Sequence, residues 1–497
     1  MLEASRGRRW AFILTPFLLC ALGGALWHSG SPNPVRRQSR TPHTVRSSAQ
    51  PGKPLRLAQA PLPAQPAQAP EPSIRRALPP PSPRALKLHQ LGEKLGVRPE
   101  IRLENPCVLQ SGTACARTAL TPFFESLDTL SAGKASAPAV ISAFGNSLIA
   151  GDRIVDVVRE ELGGAFGDGG RGVLFVDRLA PYGPRVRAGF AKGGWEARTL
   201  GEMKLAELPF GLTGVYHLAT AAKASSRFQL TGEPRGTLWW LDVPRAGRLS
   251  VHADGKELAR AEPQGNGQAQ ALTFDIPPGA RSLDVVAEGR GAVVLGVVLQ
   301  HQRPGIVLDT LGVPSADANL FLRAQEDIFR AQLAERSPRL LLFILGGNEA
   351  KRLEWGRSNL AEVEEGLRTF IRRSRAASPD SACLVMGPID AVRGGNGPNK
   401  LTQRPYLDEV IGIERQIALA EGCAFFDIFS AMGGPGSLAR FVQAGFVHDD
   451  LVHPRSHGLD LLGQLLNDAM LRAWVESGDP SRQATLAPAL QASEENR

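Results

Sequence analysis

The sequence predicts an α/β domain, a parallel sheet with helices on both faces, interrupted by an inserted β-sandwich and preceded by a disordered Pro-rich linker. Three observations predict it. Short apolar runs alternate with helix-period segments over residues 139–162 and again over 305–476, the pattern of parallel strands joined by helical crossovers. From about Lys192 to Gln302 the pattern shortens to alternating or apolar runs between turn signals such as Asp254-Gly255, Pro277-Pro278-Gly279 and Gly289-Arg290-Gly291, which describes a sandwich. Fourteen prolines crowd residues 31–84, a composition that cannot bury a core.

Arg6, Arg8 and Arg9 precede an uncharged, largely apolar run from Trp10 to Trp27, the n-region and h-region of an export segment. The run is also long enough for a membrane span, so residues 1–30 read as a signal peptide or a membrane anchor, and the expected location is the periplasm or cell envelope. Residues 31–90 read as the linker. The net charge of +8 is a property of these two stretches: +9 lies in residues 31–90 and +2 in residues 1–30, leaving −3 for the other 407 residues. A basic tail on a mildly acidic folded part argues against nucleic acid and fits a spacer that holds a tethered domain away from a membrane.

Residues 91–191 and 303–476 form the expected α/β domain, with 192–302 inserted and 477–497 a flexible tail. The lead-in holds short helices, the clearest at 117–130. Residues 139–144 read as a buried strand, Gly145-Asn146-Ser147 as a tight turn, and 148–162 as a helix with Leu148, Ile149, Ile154, Val157, Val158 and Leu162 on its apolar positions. The glycine-rich stretch 163–172 follows a helix and lacks a Gly-Lys-Ser/Thr ending, so it reads as a loop and not a phosphate cradle. Sandwich strands are expected at 214–219, 226–230, 237–243, 248–253, 270–276, 282–287 and 292–300. The outer domain resumes with strands at 305–311, 340–345, 382–387 and 424–427, and helices at 319–333, 359–374, 406–421 and 457–476. Cys107 and Cys115 are close enough to close a small loop in an oxidising compartment, whereas Cys383 and Cys423, in or beside apolar runs, read as buried thiols.

Reactive groups collect in three places: Ser147 after the first strand, Gly346-Gly347-Asn348-Glu349 after residues 340–345, and Asp450-Leu451-Val452-His453-Pro454 before the last helix. Sites in α/β sheets form beyond the carboxyl ends of parallel strands, so these places can converge. A serine hydroxyl needs a base, and the base needs an orienting group. His453 supplies the base, and Asp450 can meet its other ring nitrogen and fix the tautomer. A developing oxyanion then needs donors: the Ser147 amide, the amide of a glycine such as Gly312, and the Asn348 carboxamide.

Gly145-Asn146-Ser147, Gly312, Gly347-Asn348 and Asp450-x-x-His453 resemble, in order and placement, the blocks of the SGNH/GDSL hydrolase family. The resemblance implies a three-layer fold and a serine esterase that needs no metal or cofactor. With an inserted sandwich and an export segment, the chain is similar to bacterial peptidoglycan and polysaccharide O-acetylesterases. Two departures stand out: Asn146 occupies a position where the family usually has Asp, and the second block reads Gly312-Val313-Pro314-Ser315. Each residue also has a plainer use. Ser147 fits a helix N-cap, Asp450 and His453 a capping pair, and Asn348 a turn. His448, His453 and His457 with Asp449 match no metal motif. Asp152 and Glu349 read as holding local structure, and of Trp195, Trp239 and Trp240, which could stack on sugars, at least one of the adjacent pair reads as core. The expected activity is removal of O-acyl groups, most simply acetate, from envelope carbohydrate. The alternatives are an acyltransferase of the same fold and a non-catalytic carbohydrate-binding protein.

Overall fold

A computed structural model of the chain describes residues 76–112, 114–179, 188–202, 207–394 and 401–478. The export segment, most of the linker and the residues after 478 lie outside them. Among the described residues no helix is long and apolar enough to cross a membrane.

The lead-in folds as helix α1 (Pro83–Leu95), a hairpin of β1 (Cys107–Ser111) and β2 (Ala114–Thr118), and helix α2 (Thr121–Ser131). The linker therefore stops short of residue 90. Ser82 caps α1 by accepting the Ala85 amide at 3.0 Å, and Leu88 and Leu95 are buried beneath the helix. Arg76 already belongs to the fold, pairing with Asp128 at 2.6 Å and the Trp474 carbonyl at 2.7 Å. The prolines hid a cap and a leucine spacing that the helix uses. The Cys107–Cys115 disulfide closes the hairpin.

Next come β3 (Ala139–Gly145), the single turn α3 (Ser147–Ala150), α4 (Arg153–Phe166) and β4 (Asp168–Leu174). The expected continuous helix breaks at Gly151-Asp152, where Asp152 takes φ +60°. Asp152 accepts bonds from the Arg159 guanidinium and the Thr310 hydroxyl, so it holds local structure. The stretch read as a glycine loop is the end of α4 followed, after Gly167, by the start of strand β4. Its glycines are what let it enter the sheet: a side-chain carbon on Gly172 would lie 2.3 Å from Asp309 Oδ1, and one on Gly170 2.7 Å from the backbone of Gln300. Asp309 also accepts the Val173 amide at 3.0 Å and is itself held by Arg336.

The insert supplies β5 (Phe190–Ala191), β6 (Trp195–Thr199), β7 (Val215–Ala219), β8 (Ala224–Gln229), β9 (Arg235–Leu241), β10 (Leu249–Ala253), β11 (Lys256–Ala261), β12 (Ala269–Asp275), β13 (Ser282–Ala287) and β14 (Val293–Gln300). All seven expected strands are present within a few residues. β5 precedes the expected boundary at 192.

The second half runs β15 (Ile306–Gly312), α5 (Ala318–Phe321), α6 (Glu326–Arg336), β16 (Leu340–Ile344), α7 (Gly347–Glu354), α8 (Leu360–Ala377), β17 (Ala382–Met386), β18 (Val392–Gly394), β19 (Leu401–Gln403), α9 (Leu407–Ala420), β20 (Ala424–Phe426), α10 (Ile428–Ala431), α11 (Ser437–Gln443) and α12 (His457–Ser477). Cys383 on β17 and Cys423 before β20 form a second disulfide, not a pair of thiols. Parallel neighbours carry them to a Cα separation of 4.6 Å, within bonding reach.

Strands β4-β15-β3-β16-β17-β20 form the parallel sheet. The insert is not a separate body. β14 pairs antiparallel with β4, so the sheet continues through β14, β9 and β12 into one wall of the sandwich, while β11-β10-β13-β8-β5 form the other. One core face joins the sheet to α2, α4 and α12, and the opposite face joins it to α5, α6 and α8. Around Phe144 that second face stacks Phe321, Phe329, Phe343 and Phe370. Trp239 is 1% exposed and donates to Glu335 of α6 at 2.9 Å, whereas Trp240, 7% exposed, fills the sandwich interior. The adjacent pair do point to opposite faces, and both are core.

Candidate active site

Three parallel strands end level with one another: Gly145 of β3 pairs with Gly312 of β15 and with Ile344 of β16. The turns that leave these ends carry the reactive groups. Gly145 has to be glycine, because a side-chain carbon there would meet Ile149 Cγ1 at 2.3 Å and the Ile344 carbonyl at 2.9 Å. Asn146 then caps α3, its Oδ1 accepting the Leu148 amide at 3.0 Å. The residue that departs from the family pattern thus does the capping, and Ser147, next in the chain, is left to the site.

Ser147 Oγ lies 2.8 Å from His453 Nε2, and His453 Nδ1 lies 2.7 Å from Asp450 Oδ2. The histidine loop is braced at its base by a bridge between Val447 and Pro454 and by the His448 amide donating to the His453 carbonyl at 2.9 Å. Asp450 Oδ1 accepts the amides of Val452 and His453 at 2.9 and 3.0 Å. Partial burial pushes the Asp450 carboxyl up, but its bond from the His453 ring and these two amides outweigh that and hold it down at about 2. The acid is therefore anionic at neutral pH and fixes Nδ1 as the protonated nitrogen, which leaves Nε2 to accept from the serine. His457 instead faces Asp460 at 3.2 Å, an acid already paired with Arg153.

Asn348 stands in the first turn of α7. Its Nδ2 donates to the Ala316 carbonyl at 2.7 Å, and a carboxamide nitrogen has a second hydrogen to offer. Gly312 has a steric part as well: a side-chain carbon on it would lie 2.1 Å from the Ala150 amide nitrogen, so its bareness lets α3 settle on the strand end. The turn after it reaches Asn348, passing through Ser315 at φ +62°.

Sequence reasoning placed Glu349 as structural without finding its partners. Oε1 accepts the Ala318 amide at 3.1 Å and Oε2 the Gly346 amide at 2.9 Å, so one carboxyl ties the turn before Asn348 to the turn after β15. Behind it Glu414 of α9 is 1% exposed, and its Oε2 has no hydrogen-bond partner among the described residues. Burial first, then the charge of Asp317, pushes Glu349 up to about 7; burial and Glu349 push Glu414 well above its ordinary value. Both groups bind protons more tightly folded than unfolded. Glu349's contribution to stability is therefore fully present below about pH 4.5 and lost as pH rises through about 7, and Glu414's is lost in the same sense as its carboxyl ionises. Glu414→Gln should flatten the fall in melting temperature across that window. An unchanged profile would place its origin elsewhere.

Fold and site together define a serine hydrolase of carboxylic esters, of the SGNH type. Residues 279–461 match the sequence profile of the GDSL-like Lipase/Acylhydrolase family, a span that holds Asn348, Asp450 and His453 but not Ser147, which the sandwich separates from it. Among solved structures, one of a peptidoglycan O-acetylesterase is similar over 72% of this chain and 96% of its own, at 22% identity and a TM-score of 0.61. An acetylxylan esterase from Geobacillus stearothermophilus is 19% identical over 34% of this chain and 73% of its own, with a TM-score of 0.25. The C-terminal carbohydrate-binding module of a laminarinase from Zobellia galactanivorans is 9% identical over 22% and 90%, with a TM-score of 0.18. A comparison with curated proteins finds no match.

Proposed function

We propose that this protein is an exported esterase that removes O-acetyl groups from cell-envelope carbohydrate through an acyl-enzyme. The observation that carries the reading is the unbroken chain of contacts from Ser147 Oγ through His453 to Asp450. Ser147 attacks the ester carbonyl while His453 takes its proton. The oxyanion rests on the amides of Ser147 and Gly312 and on the Asn348 carboxamide. His453 returns the proton to the departing sugar hydroxyl, and water, deprotonated by the same ring, releases acetate. A membrane tether through residues 1–30 completes the reading.

Support for the substrate comes from the similar peptidoglycan O-acetylesterase, whose length this chain covers almost entirely. Support for export comes from the charged and apolar pattern of residues 6–27 and from two disulfides, which persist outside reducing compartments. The test is acetate release from purified O-acetylated peptidoglycan by the full chain, with Ser147→Ala as control. Release by the parent and none by the variant is the expected result; equal background release by both would sink the reading. Asn348→Ala should lower kcat about 100- to 1,000-fold with KM little changed, because the lost donor acts on charge that develops only in the transition state. A rise in KM alone would assign Asn348 to ground-state binding instead.

A further inference from the structure

Helix α7 starts at the rim of the site and leads away from it. Asn348, Lys351, Arg352 and Trp355 fall at positions i, i+3, i+4 and i+7, so they share one side of the helix and its C-cap. Arg352 is committed to the rim, pairing with Asp317 at 2.6 Å and donating to the Ser315 carbonyl. Beyond it Trp355 is 51% exposed, the state least expected of a large indole. Two cations sit on its ring: Lys351 Nζ at 4.8 Å and Arg357 Cζ at 5.0 Å from the centroid. Neither has a carboxylate partner among the described residues, although Arg393 and Arg404 close by both pair with Glu354. Apolar surface continues past the indole. Leu360 and Tyr406 are exposed at 40% and 42%, and all three lie within three residues of Leu353, Val363 or Leu407 in one small core cluster.

We propose that Trp355, Lys351 and Arg357 form a subsite for a carboxylate-bearing sugar of the polymer whose acetyl group Ser147 removes. Seven residues at 1.5 Å each put Trp355 about 10 Å from Asn348 along the helix, a distance that a short run of pyranose rings spans. An indole fits the apolar face of such a ring, and the two cations held on it, neither with a carboxylate partner among the described residues, fit the carboxylates that distinguish an anionic glycan from a neutral one. The inference rests on the esterase reading for its direction, since it names the substrate class of that site.

The experiment uses the full chain and three probes: an aryl acetate, O-acetylated peptidoglycan fragments stripped of their peptides, so that the sugar carboxylates are free, and neutral acetylxylan. For the double variant K351A/R357A, KM for the peptidoglycan fragments rises about tenfold, while the aryl acetate and acetylxylan rates stay within about twofold of the parent. For Trp355→Ala, KM rises on both polymers and the aryl acetate rate is unchanged. Added salt weakens the parent on peptidoglycan fragments only. Equal losses on all three probes, equal losses of the double variant on charged and neutral polymer, or no loss anywhere would each overturn the subsite. Failure of the esterase reading shows separately, as aryl acetate turnover that survives Ser147→Ala. In that event co-sedimentation of the Ser147→Ala protein with peptidoglycan still tests the patch: binding lost on adding K351A/R357A upholds it, and unaltered binding overturns it.

Discussion

Ser147→Ala lowers kcat on an aryl acetate by about a millionfold, and His453→Ala does the same. The two effects are expected not to add. Oγ and Nε2 are 2.8 Å apart and act as one device: without the ring the hydroxyl keeps its proton, and without the hydroxyl the ring has no nucleophile to activate. Whichever is removed, the remaining rate is that of water assisted by the oxyanion donors alone. The double variant should therefore match either single one, by initial-rate measurement on proteins whose melting temperatures agree with the parent. A double variant that falls far below both singles would mean that serine and histidine serve separate steps.

Asp450→Asn lowers kcat by about ten-thousandfold with little change in KM. The carboxylate has two tasks, one oxygen on the amides of Val452 and His453 and the other on His453 Nδ1. In the asparagine variant the carbonyl oxygen keeps the amides and the NH2 group turns to the ring. A donor facing Nδ1 moves the ring proton to Nε2, where it blocks acceptance from Ser147. The loop stays folded while the chemistry stops, which separates this loss from one caused by disorder. Because the native carboxyl is held at about 2, its own protonation does not limit the rate over the pH range of an ordinary esterase assay. A variant within about tenfold of the parent would show that the ring is oriented by something other than this acid.

The parts of this architecture that could be read beforehand are those with a local signature. Strands β3, β15, β16 and β17 are short apolar runs, and their period survives without tertiary help. Ser147, Asp450 and His453 stood out because serine after a strand-glycine turn and Asp-x-x-His before a terminal helix are each unusual as plain structure. What stayed hidden depends on contacts between distant segments. Strand β4 looks like a loop because Gly170 and Gly172 are dictated by the crowding of Asp309 and Gln300, which lie more than a hundred residues away. The Cys383–Cys423 bond depends on which strands are neighbours, and the sequence carries no mark of that order. α7 shows no apolar run, because it follows a glycine cap, opens on a glycine and has a charged residue at half of its positions. Its buried residues Glu349, Ala350 and Leu353 go to α9 and the second block.

The shared sheet also limits how the molecule can move. A module joined by a peptide linker can search for ligand on its own and pivot, but here Val297, Val298 and Leu299 of β14 are laddered directly to Leu174, Val173 and Gly172 of β4, next door to the strands that end beneath the serine. Bending at that seam would break main-chain hydrogen bonds in a buried β-ladder. The sandwich wall is consequently held at one fixed distance and orientation from Ser147, with no hinge between them.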